Sequence, residues 1–260
     1  MKKTGLVIFI AALLLLQPLT IIALTAGEAK QAWYNAKEAS RDAQTEHRAI
    51  KVEWAANKTE ENNQRVIESG KAVLHAALDE AEAWLIWRNL EVEENPEIPG
   101  ELKQSIQDDV DANLAKINEL RDEIDDVQTR FELAIVFLKM VGKYLELLTD
   151  VARNTGLVWV HIANTLADRI DEYETILREA AESVTGNEVI IELLDSAIDE
   201  LDAARANIDL AESEYQQVAL PGTPLVKFSN GNNYLRLAKN NLLSAFHHLN
   251  QAYREMASGG

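Results

Sequence analysis

The chain has 260 residues, 47% of them hydrophobic and 26% charged, with no cysteine, 11 glycines and 5 prolines. That is too apolar for disorder, and the abundance of Ala, Leu and Glu with short β-branched runs suits one helical domain, with or without an extension. A formal net charge of −18 argues against a nucleic-acid surface, which needs a basic patch, and without cysteine the fold must be held by packing alone.

Residues 1–26 read as a targeting segment. Lys2 and Lys3 precede an apolar run over residues 6–26, broken only by Gln17, Pro18 and small hydroxyl residues. The run ends in Ala23, Thr25, Ala26 and Gly27, with Leu24 where signal peptidase prefers a small side chain. It is long enough to span a bilayer, so a cleaved signal peptide and a retained membrane anchor both fit. Either one places the rest of the chain outside the cytoplasm, secreted or anchored at the cell surface. Cleavage takes two lysines and leaves a charge of about −20. A prepilin-like leader cut after Gly5, yielding a filament subunit, is a third reading, although Thr4 stands where a basic residue is expected.

From Glu28 to about Glu94 there is no proline and one glycine, Gly70. Ala29, Trp33, Ala36, Ser40, Ala43, His47, Ile50 and Trp54 recur at 4,3 spacing, a heptad seam of small residues that admits a close neighbour. The seam fades over residues 57–65 and returns as Ile67, Gly70, Leu74, Ala77, Ala81 and Trp84. Asn57-Lys58-Thr59 is the one glycosylation sequon, which makes Asn57 a candidate modification site. Two prolines and a glycine within residues 95–100 then end the helix.

The second long helix is expected to start at Glu101 and to run without interruption through Ile117, Leu120, Ile124, Val127, Phe131, Ala134, Leu138, Val141, Leu145, Leu148 and Ala152. Residues 131–163 are apolar on almost every face, which predicts burial; charges every few residues, such as Lys139, Glu146 and Arg153, argue against a membrane span. The heptad phase continues past Asn154-Thr155-Gly156, yet Asn and Gly after Arg153 resemble a helix end. A turn there folds the apolar halves onto each other, so the expectation is a central hairpin with Leu145 in the core.

A further turn is expected at residues 185–187. Beyond it, Leu194, Ala197, Leu201, Ala204, Ile208, Ala211, Tyr215 and Val218 form a 3,4 seam. Residues 220–224 make a loop, and Ser229 or Asn230 can cap a last helix with the seam Leu235, Ala238, Leu242, Ala245, Leu249, Ala252 and Met256. The expected fold is therefore all-α, an antiparallel bundle of about five helices over residues 27–257, at least about 75% helical. From it a two-helix coiled-coil stalk over about 66–124 should protrude.

Catalytic chemistry finds little footing. None of His47, His75, His161, His247 or His248 follows a Glu by three residues, as bundle di-iron sites require. Adjacent acids such as Asp108–Asp109 diverge around a helix, and there is no zinc, haem, nucleotide or hydrolase motif. No enzyme activity and no cofactor is expected. The stalk tip joins Trp84, Trp87 and Ile98 to a proline-stiffened turn, making these the candidate contacts for a protein partner or surface component. The leading expectation is an exported, non-enzymatic tether or scaffold, with self-association open to it. The alternatives are a membrane-active protein inserting 131–163 as a hairpin, a ligand-sensing or carrier bundle, and a pilin-like subunit.

Overall fold

The computed structural model describes residues 24–182, 184 and 186–259; residues 1–23 of the expected targeting segment, with the readings placed on them, lie outside these. The described residues are all-helical: 89% lie in six helices and none in a strand. In order they are α1 (Ala26–Ala56), α2 (Glu60–Glu93), α3 (Gly100–Asp125), α4 (Arg130–Ala181), α5 (Glu188–Gln216) and α6 (Pro224–Gly259).

The long N-terminal helix divides at residues 57–59. Asn57 caps α1, and the Thr59 hydroxyl accepts from Asn62 N at 3.2 Å to open α2. The polar stretch is thus a turn and the start of a new helix. α1 folds back along α2, where its small-residue seam is used: Ala29 and Ser40 are buried, Trp33 stacks on Trp87 at 4.9 Å, and His47 Nδ1 lies 2.8 Å from Ser69 Oγ. Burial, and secondarily Lys51, lowers the His47 pKa.

The second long helix also divides, and not where a break was expected. Residues 126–129 separate α3 from α4. Thr129 and Glu132 form a capping box in which the Thr129 hydroxyl accepts from Glu132 N at 3.2 Å and the Glu132 carboxylate accepts from Thr129 N at 2.9 Å. Through Asn154–Gly156 the helix is continuous, so the expected hairpin does not exist. α4 has 52 residues, a length of about 78 Å. Tertiary packing consumes the would-be cap: Asn154 donates to Asp109 Oδ2 at 3.1 Å, and Gly156 is covered by the Tyr215 ring.

Two cores share α4. Leu74, Leu78, Leu85, Ile106, Ile117, Leu120 and Ile124 of α2 and α3 pack with Val136, Met140 and Leu147 from its first half. Val160, Ala167, Ile170 and Leu177 from its second half pack with α5 and α6. The seams read for α5 and α6 hold: Leu194, Ala197, Leu201, Ala204, Ile208, Ala211, Tyr215, Ala238, Leu242, Ala245, Leu249 and Ala252 are buried. Burying each large aliphatic chain contributes about 1.5–3 kcal/mol. The last helix begins at Pro224, earlier than Ser229 or Asn230, as suits proline at a helix start. The break between α4 and α5 falls where expected, with Gly186 at φ +75° and Asn187 Nδ2 donating to Ala181 O at 2.8 Å.

The α2–α3 pair does not project as a free stalk. The first half of α4 shares its core, and the turn at its end is tied to the second half of α4. There His161 Nε2 lies 2.6 Å from Glu97 O, and Arg169 pairs with Glu97 Oε1 at 3.0 Å. Among the described residues no helix is long and apolar enough to cross a membrane.

Candidate interaction surface

The three candidate tip contacts point to different places. Trp84 packs against the core shared by α2, α3 and α4. Trp87 turns toward α1, where Trp33 stacks on it and the Lys30 ammonium lies 5.1 Å from its ring. Ile98 is buried, at 5% exposure, so it cannot serve as a surface contact. The aromatics join α1 to α2 and fill the core, and the turn is anchored through Glu97. Ala26 N, at the start of α1, donates to Glu94 Oε1 at 2.7 Å beside it. Asn57, the sequon residue, is exposed in the α1–α2 turn.

The expected core position Leu145 is on the surface, at 54% exposure. So are Phe131 (76%), Leu138 (69%), Val141 (44%) and Leu148 (42%). α4 is apolar on two faces, and the sequence seam follows the outer one. The face turned inward carries Leu133, Val136, Met140, Tyr144, Leu147, Val151 and Val158. Because α3 ends at Asp125, the α3 seam does not carry over into α4, and the inward face is set by the new helix start.

The outer stripe keeps strict 3,4 spacing from Phe131 through Ala134, Leu138, Val141, Leu145, Leu148, Ala152, Thr155, Trp159 and Ile162 to Leu166. None of these side chains is buried. The stripe runs for about 50 Å at 1.5 Å per residue. Glu132, Lys139, Glu146 and Arg153 alternate in sign along the side of α4 that turns to α3. Lys139 Nζ is 2.7 Å from Glu123 Oε2, and Lys116 at 3.2 Å holds the Glu146 carboxyl below the usual carboxylate range. Backbone N–H groups of Gln128 and Thr129 do the same for Glu132.

Beneath the stripe a polar network fixes α3 against α4. Asn113 Nδ2 donates to Asp150 Oδ2 at 3.0 Å, and Arg153 bridges Asp109 Oδ2 at 2.7 Å and Asp150 Oδ1 at 3.1 Å. Asn113 is 2% exposed and its Oδ1 has no partner. Nearby, Leu85, Asn89, Ile106, Asn154 and Val158 line a crevice of about 60 Å³. Ligand pockets run from about 300 Å³ upward, so this crevice is a packing gap. Among the described residues no three His, Asp or Glu side chains are grouped to hold a metal. Comparison with protein-family models, with characterised proteins and with solved structures finds no match to this chain.

Proposed function

We propose that this chain is an exported, non-enzymatic helical-bundle protein that serves as an interaction module, a tether or scaffold outside the cytoplasm. Its contact surface is the outer stripe of α4, in place of the α2–α3 tip. The observation that carries this reading is the exposed row of Phe131, Leu138, Val141, Leu145 and Leu148 on a protein that buries the seams of α5 and α6. Apolar patches of this extent mark contact sites, and 3,4 spacing on a straight surface suits another helix. The export part rests on Lys2, Lys3 and the apolar run that follows. Exposure of Asn57 in a turn suits glycan attachment where the host glycosylates exported chains. Insertion of residues 131–163 as a hairpin would require breaking α4 in its middle.

One labelling experiment tests both parts. Cysteine is introduced at Leu225, which is 82% exposed and off the stripe, or at Leu145 on it. Intact cells making the full chain are treated with a membrane-impermeant maleimide. Leu225→Cys should label and Leu145→Cys should be protected. An unlabelled Leu225→Cys would refute export, and equal labelling at both positions would refute a contact on the stripe.

A further inference from the structure

We infer that the groove between α1 and α4 binds a single-chain fatty carboxylate, with its chain on an apolar floor and its head group at Lys51 and Arg130. This does not rest on the α4 stripe as a contact surface, and either reading can fail without the other.

The groove follows from the way three helices are laid together. α1 and α4 each pack on α2 but not on one another. They meet at one end, where the Arg130 guanidinium covers the Trp54 ring at 4.0 Å. Between them lies a cavity of about 340 Å³. Gly70 sets its depth, because Leu133 of α4 occupies the place that a Cβ there would take. Val66, Val73 and Leu74 of α2 form the floor, with Leu133 and Phe137 of α4 on one side. Phe137 is 52% exposed, which leaves an apolar face for a ligand chain to cover. The floor spans residues 66–74, about 12 Å along the helix. A volume at the small end of the range for ligand pockets, roughly 300–1,000 Å³, suits one aliphatic chain and not two.

Charge selects the head group. Among the described residues, those bordering the groove include His47, Lys51 and Arg130 and no carboxylate. The chain as a whole has 43 acids against 25 lysines and arginines, so a basic border free of acids runs against its composition. Elsewhere the cations have found partners, as in Lys139 with Glu123, Lys116 with Glu146 and Arg153 with Asp109. Lys51 and Arg130 have no carboxylate partner among the described residues. Glu53, two residues beyond Lys51, is taken by Arg65 at 2.7 Å. Lys58 adds a third cation at the same end, 5.6 Å from the Trp54 ring.

His47 Nδ1 is held by Ser69 Oγ at 2.8 Å, and its Nε2 has no protein partner among the described residues. The border thus offers an arginine fork, an ammonium and a free ring nitrogen to a carboxylate. Two crevices of comparable size, one beside Glu123 and Lys139 and one beside Lys143 and Glu146, carry charges already paired within the chain. They offer no such match.

Calorimetric titration of the full chain with octanoate, decanoate and dodecanoate, each kept below its micellar concentration, tests the assignment. Decanoate should bind one per chain, and each methylene from octanoate to decanoate should raise the affinity about fourfold. Lys51→Met should weaken decanoate about tenfold with the melting temperature unchanged, since the exposed ammonium has no carboxylate to lose. Val73→Trp, which fills the floor and leaves the cations in place, should abolish binding. Decanol bound as tightly as decanoate, or decanoate bound equally by Lys51→Met, would overturn the proposal. Loss of binding in Leu145→Ala but not in Lys51→Met would place the chain on the α4 stripe and also overturn it. Adhesion to phosphatidylglycerol vesicles without uptake of any free carboxylate would make the basic border a membrane contact, and no heat with any probe at about 1 mM would leave the groove empty; either result sinks the proposal.

Discussion

The ring of Tyr215 in α5 lies directly on Gly156 of α4, at the point where the chain looked most ready to turn. The same ring covers Gly231 of α6, where an added Cβ would stand 2.6 Å from Tyr215 Cε1, and its hydroxyl donates to Asn232 Oδ1 at 2.7 Å. One fully buried tyrosine thus joins three helices and requires two glycines to do so. Gly156 is a contact residue inside a helix and terminates nothing.

Gly156→Ala should therefore destabilise the protein even though alanine is the better helix former. Overpacking a filled core costs about 1–3 kcal/mol, against a propensity gain of about 1 kcal/mol. The tyrosine is pinned by its hydrogen bond and by Gly231, so it cannot move aside freely. The melting temperature should fall by a few degrees. A value at or above the parent's would show that the ring is not held there.

Leu145 and Leu147 sit two residues apart on α4 and should behave oppositely. Leu147 is 4% exposed in the core with α2 and α3, and Leu147→Ala should cost about 2–5 kcal/mol. Leu145→Ala should stay within about 0.5 kcal/mol in dilute protein, since its side chain is mostly in solvent. Denaturant midpoints below micromolar concentration measure both. Equal losses would mean that the outer stripe is covered within a single chain.

Alkaline pH should loosen the second core through Tyr215. Burial pushes its phenol up to about 12, above the ordinary value near 10. The neutral phenol therefore contributes stability that is whole below pH 10 and is lost as the pH rises through 12. Two pKa units correspond to about 3 kcal/mol. Tyr215→Phe starts about 1 kcal/mol lower for want of the Asn232 hydrogen bond, and its midpoint should decline less between pH 10 and 12. Parallel decline of the two proteins would place the alkaline loss elsewhere.

The sequence by itself determined the helical class, the proline-bounded turn before α3, the break near Gly186 and the buried seams of α5 and α6. Those two helices each carry a single apolar stripe, so periodicity leaves one choice of inward face. The capping box of Thr129 and Glu132 was also legible, as a Thr with a Glu three residues on. The apolar repeat running across it, from Val127 to Phe131, hides it from a reading led by periodicity. Thr59 before Asn62 gave a weaker sign of the same kind at the start of α2.

Tertiary structure decided everything that depends on choosing between two apolar faces. α4 offers Val136, Met140 and Leu147 on one side and Leu138, Leu145 and Leu148 on the other, and spacing alone ranks them equally. The network of Asn113, Asp109, Asp150, Arg153 and Asn154 sets which side meets α3, because the buried Asn113 and Asn154 must find polar partners. Continuity through residues 154–156 was settled likewise. An Asn and a Gly can end a helix when water surrounds them; here Asp109 and the Tyr215 ring reach them first, from segments 45 and more residues away in sequence.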